Sequence, residues 1–150
     1  MGIKRIRGED RKAYLDLLLL GDEQLDMVLR YIDRGDMFVL YDDGIAVSEA
    51  IVCEAGQRVF EIKNIATYPE QQGRGYGSAL LGYIAGYYKE NADILYVGTG
   101  ENRRTLDFYR HAGFVFSHKV RNFFTENYDH PIFEDGHQLV DMIYLKKALR

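Results

Sequence analysis

Hydrophobic positions change their spacing along the chain, and each change marks a boundary between helical and strand-like stretches. "IKRIR" (3–7) alternates weakly and reads as an edge strand. From Glu9 to Leu20, "EDRKAYLDLLLL" carries a thick apolar stripe that predicts a helix ended by Gly21. Asp22 stands as the cap of a second helix, "EQLDMVLRYIDR" (23–34). Its Leu25, Val28, Leu29 and Ile32 recur at helical spacing, and Gly35 closes it. The period then drops to two. "MFVLYDDGIAVSEAIVCEA" (37–55) is a pair of strands around Asp43-Gly44, a strong hairpin signal, and Gly56 turns the chain into "RVFEIKNIATY" (58–68).

A glycine-rich stretch, "QQGRGYG" (71–77), follows, and then a helix with Leu80, Leu81, Ile84 and Tyr87 on one side. "DILYVGTG" (93–100) reads as a buried strand, and a further helix runs from about Asn102 to His111 before the stop signal "AGF". "VFSHKVRNFF" (115–124) and "HQLVDMIYLKK" (137–147) are late strands joined by the polar loop "TENYDHPIFEDG". A strand–helix–strand unit in the middle requires a mixed sheet with helices on both faces, an α/β (α+β) arrangement. With no repeat or linker, residues 1–150 read as one domain.

Composition narrows the functions. A net charge of −4 and a pI near 5.6 argue against general nucleic-acid affinity and suit a cationic partner. The single cysteine, Cys53, excludes an intramolecular disulfide and points to a reducing, cytoplasmic setting. "LDLLLL" is too short to cross a membrane, and "MGIKRIRGED" has no apolar segment of signal-peptide length behind it.

The glycine stretch has two readings. A strand that turns into a helix presents first-turn N–H groups with no backbone partners, and these suit an anion such as a phosphate. Arg74 would add positive charge. The other reading is a flexible turn, and the glycines alone leave both open. No Lys-Ser/Thr follows the last glycine, so this is no Walker A loop, and the spacing is not G-x-G-x-x-G.

"Gln72-Gly73-Arg74-Gly75-Tyr76-Gly77" fits the Q/R-x-x-G-x-G/A signature of the GNAT N-acetyltransferases. "ENRRTLDFYRHAGF" (101–114) resembles that family's second motif, with an Asn, an F-Y pair ending seven residues on, and a closing G-F. The resemblance spans about residues 36–146. It implies a GNAT-type fold: a twisted, mostly antiparallel sheet of six or seven strands with about four helices. It implies acetyl-CoA as cosubstrate, with its pyrophosphate on Gln72, Gly73, Arg74, Gly75, Tyr76, Gly77 and Ser78. Main-chain groups across Ile65, Ala66 and Thr67 would pair with the pantetheine arm, and one N–H there would face the thioester oxygen. Asn102 would hydrogen-bond to the donor; as a residue type at a helix start it also reads as an N-cap.

By the same resemblance Tyr109 is the general acid for the departing thiolate, and Glu61 the base for the incoming amine. Read from the residues alone, Tyr109 packs on its helix and Glu61 is a strand residue paired with Lys63. Asp141, within "LVDMIYL", and the late-loop acids Asp129, Glu134 and Asp135 are further carboxylates that a cationic amine would meet. Arg103 and Arg104 are candidates for the donor's 3′-phosphate. The four histidines form no metal motif, and Cys53 has no base beside it. The implied activity is acetyl transfer to a primary amine by direct attack in a ternary complex. The expected acceptor is a small cationic molecule, aminoglycoside- or polyamine-like. Alternatives are a protein N-terminus or lysine as acceptor, or a non-catalytic acyl-CoA-binding regulator. Such folds commonly dimerise, and the sequence names no interface.

Overall fold

The computed structural model describes residues 1–150. Seven strands form one sheet: β1 (Gly2–Ile6), β2 (Asp36–Asp42), β3 (Ile45–Gly56), β4 (Val59–Thr67), β5 (Ile94–Gly100), β6 (Val115–Val120) and β9 (Met142–Ala148). Their order is β1-β2-β3-β4-β5-β9-β6, and every neighbouring pair is antiparallel except β4–β5. β7 (Phe133–Glu134) and β8 (His137–Gln138) make a separate short hairpin. The helices are α1 (Leu15–Gly21), α2 (Leu25–Leu29), α3 (Tyr76–Tyr88), α4 (Arg103–His111) and α5 (Phe123–Asn127). None is long and apolar enough to cross a membrane.

Strand alternation decides which helices cover which face. Phe38, Leu40, Val52, Ile62, Leu95 and Leu145 point to one side, where α3 and α4 add Leu80, Ile84 and Tyr109 to the main core. Met37, Val39, Ile51 and Cys53 point to the other, under Leu18, Val28 and Ile32. A third, small cluster of Phe124, Ile132 and Leu139 holds the late segment together.

The first helical region is more broken than its apolar spacing predicts. Residues Gly8–Tyr14 wind as a 3₁₀ helix before α1, and α2 is a helix of 5 residues in place of the expected span from 23 to 34. Leu25 and Leu29, expected in the apolar stripe, are about half exposed. Arg11 supplies a physical reason. It is buried, and its guanidinium donates to the carbonyls of Ile6 (3.1 Å), Ile32 and Arg34 (2.9 Å each) and Gly35 (2.7 Å). One side chain therefore satisfies the loosely wound end of this region, where helical hydrogen bonds stop. Arg11→Leu removes these four hydrogen bonds and is expected to cost about 2–4 kcal/mol, a fall in melting temperature of roughly 5–15 °C. Chemical denaturation of the variant measures it.

The late region also differs from the expected pair of long strands. β6 stops at Val120, Asn122 turns the chain through a positive φ, and α5 begins at Phe123. Asp141, one of the carboxylates considered for the acceptor, accepts from the Asn122 backbone N–H at 2.8 Å and lies 3.8 Å from Lys119. It holds this turn and does not line the cleft described below.

Candidate active site

The only parallel pair in the sheet is short. Val59–Ile62 pair with Ile94–Val97, and beyond Ile62 and Val97 the two strands part. Lys63 causes part of this: Ile51 pairs with Asn64 but Val52 with Ile62, so Lys63 is an extra residue bulged out of the β3–β4 ladder. A bulge bends its strand and increases local twist. After it, β4 stays paired with β3, and β5 stays paired with β9. The facing edges, Lys63–Thr67 and Gly98–Gly100, line a cleft of about 800 Å³ that opens between them. Their edge-on amides are free to pair with an extended arm carrying amides of its own.

The bulge also breaks the alternation of faces along β4, which would otherwise put residues two apart on the same side. Ile62 packs in the α3 core, whereas Asn64, two residues on, bonds to the Leu18 carbonyl of α1 on the opposite face.

At one end of the cleft lies the glycine stretch. Gln72, Gly73, Gly75, Tyr76, Gly77 and Ser78 all line it, whereas Arg74 is exposed at its rim. The first helical bond of α3 runs from Ala79 N–H to Gly75 C=O, so the amides of Tyr76, Gly77 and Ser78 have no backbone acceptor within the helix. No side chain caps this end. Gly73 (φ 77°) and Gly75 (φ 86°) take left-handed backbone, and a Cβ at either meets no protein atom within 4 Å. Gly77 is there for a different reason: a Cβ would lie 2.9 Å from Phe108 of α4, so this glycine lets two helices approach closely. The Tyr76 hydroxyl donates to Asp42, which leaves only its amide for the cleft. Gln72 donates to the Thr67 carbonyl at 3.2 Å and ties the loop to β4.

Tyr109 lines the middle of the cleft from α4. Its ring is buried between Phe108 and Phe114, with centroids 5.1 and 5.7 Å away, and its hydroxyl makes no hydrogen bond within the protein. Burial, then the charges of Glu134 and Glu49, push its phenol well above the ordinary tyrosine value, so it stays protonated as a donor.

Asn102 is the N-cap of α4. Its Oδ1 accepts from Arg104 N–H (2.9 Å) and Thr105 N–H (3.4 Å), and its Nδ2 donates to Asp135 (2.8 Å) and Glu134 (3.3 Å). Those bonds use the whole amide, and Asn102 does not line the cleft, so the expected donor contact gives way to the cap. Glu61, expected as base, is also outside the lining. Its carboxylate accepts from the Tyr144 hydroxyl (3.2 Å) and sits 3.4 Å from Lys63 Nζ. Arg104 lines the cleft and pairs with Asp135 at 3.3 Å, while Arg103 is almost fully exposed. Cys53 is buried, which raises its thiol pKa and leaves it a poor nucleophile.

At the other end of the cleft, the sequence named Glu134 among the acids an amine would meet, but not Asp22 or Glu23, and of the late-loop acids only Glu134 lines the cleft. The turn between α1 and α2 contributes Asp22 and Glu23, and the late segment contributes Phe124, Tyr128, Ile132 and Glu134. The two are tied together. The Tyr128 hydroxyl donates to Asp22 (2.7 Å), Asp129 N–H to Gln24 (3.0 Å), and His130 Nε2 lies 3.2 Å from Glu23. Asp22 is therefore not the cap of α2, which is Gln24. Its carboxylate also accepts from Tyr31 at 3.1 Å, and its pKa is raised, chiefly by burial. Burial and the neighbouring Asp135 likewise raise Glu134.

Residues 33–116 match the Acetyltransferase (GNAT) domain. The chain belongs to the GNAT acetyltransferase family. It is 32% identical over 151 residues to the uncharacterized N-acetyltransferase YvbK of Bacillus subtilis (strain 168), covering 97% of each chain. Among solved structures, the IAA acetyltransferase from Bacillus cereus ATCC 14579 superposes with a TM-score of 0.91 at 30% identity, over 98% of both chains. A GNAT family acetyltransferase from Elizabethkingia anophelis with acetyl-CoA bound gives a TM-score of 0.92 at 29% identity, over 98% of this chain and 97% of that one. The resemblance of the two motifs is thus a family relationship, and the mixed seven-stranded sheet is the GNAT fold.

One buried group in this GNAT domain has no partner at all. Glu49 on β3 is fully buried, neither carboxylate oxygen has a hydrogen-bond partner, and burial alone drives its pKa well above the ordinary value. An unfolded glutamate titrates near 4.3. Above that pH the folded chain keeps a proton that the unfolded chain has lost, so stability falls as pH rises towards the folded value. Glu49→Gln removes this titration. Its melting temperature is expected to exceed that of wild type by several degrees at pH 8, with the gap closing towards pH 4. A gap that does not change with pH would contradict this account of Glu49.

Proposed function

We propose that this GNAT domain transfers an acetyl group from acetyl-CoA to the primary amine of a small cationic molecule, without an acetyl-enzyme. The observation that carries the reading is the parted β4–β5 pair, whose free edges lead from the unpartnered amides of α3 to the Tyr109 hydroxyl. In this reading the pyrophosphate lies on the amides from Gly73 to Ser78, with the exposed Arg74 beside them. The pantetheine arm pairs with main-chain groups across Ile65, Ala66 and Thr67, and one N–H at that edge stabilises the thioester oxygen as negative charge develops on it. The acetyl-CoA in the Elizabethkingia relative supports the choice of donor.

The ammonium first loses a proton, and the amine nitrogen then bonds to the thioester carbon. The C–S bond breaks, the nitrogen sheds a second proton to become an amide, and the thiolate takes a proton from Tyr109. Tyr109 is reprotonated from solvent, and one proton is released overall. A thiolate whose thiol titrates near 8.5 is a weaker base than a phenolate, so Tyr109 acts mainly as a hydrogen-bond donor that hands over its proton as the product leaves.

The amine end carries Asp22, Glu23 and Glu134 with Phe124, Tyr128 and Ile132 among them, which suits an ammonium group on a compact stem. Glu61 stands outside this end, and the acids at the cleft are better placed to take the ammonium proton. Release of free thiol from acetyl-CoA with spermidine, kanamycin or an alanine-initiated peptide tests the reading. Turnover with a small amine above that with the peptide is expected. Saturable acetyl-CoA binding with no turnover of any amine would favour a binding module.

A further inference from the structure

Asn64 is 4% exposed and lines the cleft, yet its side-chain oxygen has no hydrogen-bond partner. The orientation of its amide is fixed. The atom 2.9 Å from the Leu18 carbonyl has to be the NH₂ group, because a carbonyl oxygen only accepts. That same NH₂ donates to the Tyr31 hydroxyl at 2.9 Å, and the Tyr31 hydroxyl donates onward to Asp22 at 3.1 Å. A single phenol oxygen thus joins the two side chains. Gly21 stands against the Asn64 oxygen, where a Cβ would lie 2.2 Å away, and Gly21 also lines the cleft.

Asp22 supplies a second, independent observation. It is a partly buried carboxylate at the cleft, held by the hydroxyls of Tyr31 and Tyr128, and no Lys, Arg or His pairs with it. Buried carboxylates are ordinarily paired with a cation. Here the protein brings two acceptors and no positive charge to one place.

We propose that Asn64 Oδ1 and the Asp22 carboxylate form the ammonium-binding subsite, and that they select primary amines and orient them for attack. This rests on the amine-transfer reading above and names the residues that read the acceptor. A primary ammonium has three N–H donors. Once it has lost one proton, its two remaining N–H groups satisfy Asn64 and Asp22, and its lone pair is left to face the thioester. A tertiary amine has no N–H to offer after losing its proton, and an alcohol has one donor and no charge. The Tyr31 hydroxyl links the two side chains, accepting from Asn64 and donating to Asp22.

Steady-state kinetics of thiol release test this with spermidine, kanamycin and an alanine-initiated peptide as acceptors. The proteins are wild type, Asp22→Asn, Asp22→Glu and Asn64→Ala. Asp22→Asn keeps the size of the side chain and an oxygen for one of the two tyrosine hydroxyls, while the other meets the new amide NH₂ and has to accept instead of donate. It is expected to raise the amine KM by about 10- to 100-fold, while the acetyl-CoA KM stays within twofold. Asn64→Ala is expected to raise the amine KM at least fivefold, and Asp22→Glu to recover part of the loss. Should wild type turn over an amine while both Asp22→Asn and Asn64→Ala leave its KM within twofold, the subsite is wrong and the transfer reading stands. If wild type binds acetyl-CoA but acetylates none of the three, the transfer reading fails and takes the subsite with it. Equal rises in KM for amine and for acetyl-CoA would mark the pair as structural and overturn the proposal.

Discussion

Tyr109→Phe is expected to lower kcat by about 10²- to 10⁴-fold and to leave acetyl-CoA affinity within twofold of wild type. The size of the loss follows from what the hydroxyl does and from what it does not do. It makes no hydrogen bond inside the protein, so removing it breaks no structural contact. The phenyl ring keeps its place between Phe108 and Phe114. The melting temperature is therefore expected to move by no more than a degree or two. Because burial holds the phenol protonated, wild-type kcat should show no alkaline fall from Tyr109 below pH 9. A variant with normal kcat would remove Tyr109 from the chemistry. A variant with weakened donor binding and unchanged kcat would make it a binding residue instead.

Gly75→Ala is expected to weaken acetyl-CoA binding at least tenfold, and Gly77→Ala to act mainly on stability. The two glycines lie two residues apart in one signature, but a side chain meets different things at each. At Gly75 a methyl group has no protein atom within 4 Å, and the left-handed backbone costs about 1–2 kcal/mol. Folding survives this, with a fall of roughly 3–8 °C in melting temperature. The methyl enters open space at the turn that opens α3, the turn on which the proposed pyrophosphate lies. At Gly77 the methyl meets Phe108 at 2.9 Å and pushes α3 away from α4, whether or not a ligand is present. Isothermal titration and melting curves for both variants separate the effects. Identical behaviour, with stability lost and affinity kept, would make the stretch a plain turn.

Periodicity was legible in the sequence wherever one local rule governed an element. The Asp43-Gly44 turn, with both residues at positive φ, joins β2 to β3 as the dipeptide predicts. The glycine stretch opens α3, and Asn102 opens α4. What could not be read depended on contacts between distant residues. Nothing in "EDRKAYLDLLLL" shows that Arg11 reaches the carbonyls of Ile32, Arg34 and Gly35 and satisfies the end of a much shortened second helix. A one-residue bulge at Lys63 is invisible to an alternation count, yet it sends Asn64 to the face opposite Ile62 and helps part the strands.

The acceptor end shows the same limit. Asp22 reads locally as a helix cap and becomes a cleft residue only because Tyr128, 106 positions away, bonds to it. Glu61 was singled out by the family resemblance, but a place along a strand does not say which side of a sheet a carboxylate serves. Glu49 had one faint signal, an acid within the apolar run "IAVSEAIVC", and its complete burial could not have been inferred from that.

The most direct measurement is the melting temperature of the protein with saturating acetyl-CoA and, separately, with ADP. A ligand held at 100 times its Kd adds about 2.7 kcal/mol, which for a chain of this length is a rise of roughly 5–10 °C. A pyrophosphate on the α3 amides combined with a pantetheine arm between β4 and β5 predicts that rise with acetyl-CoA and at most a small one with ADP. Equal shifts with both would mean that only the phosphates are recognised. No shift with either would contradict a donor site in the cleft.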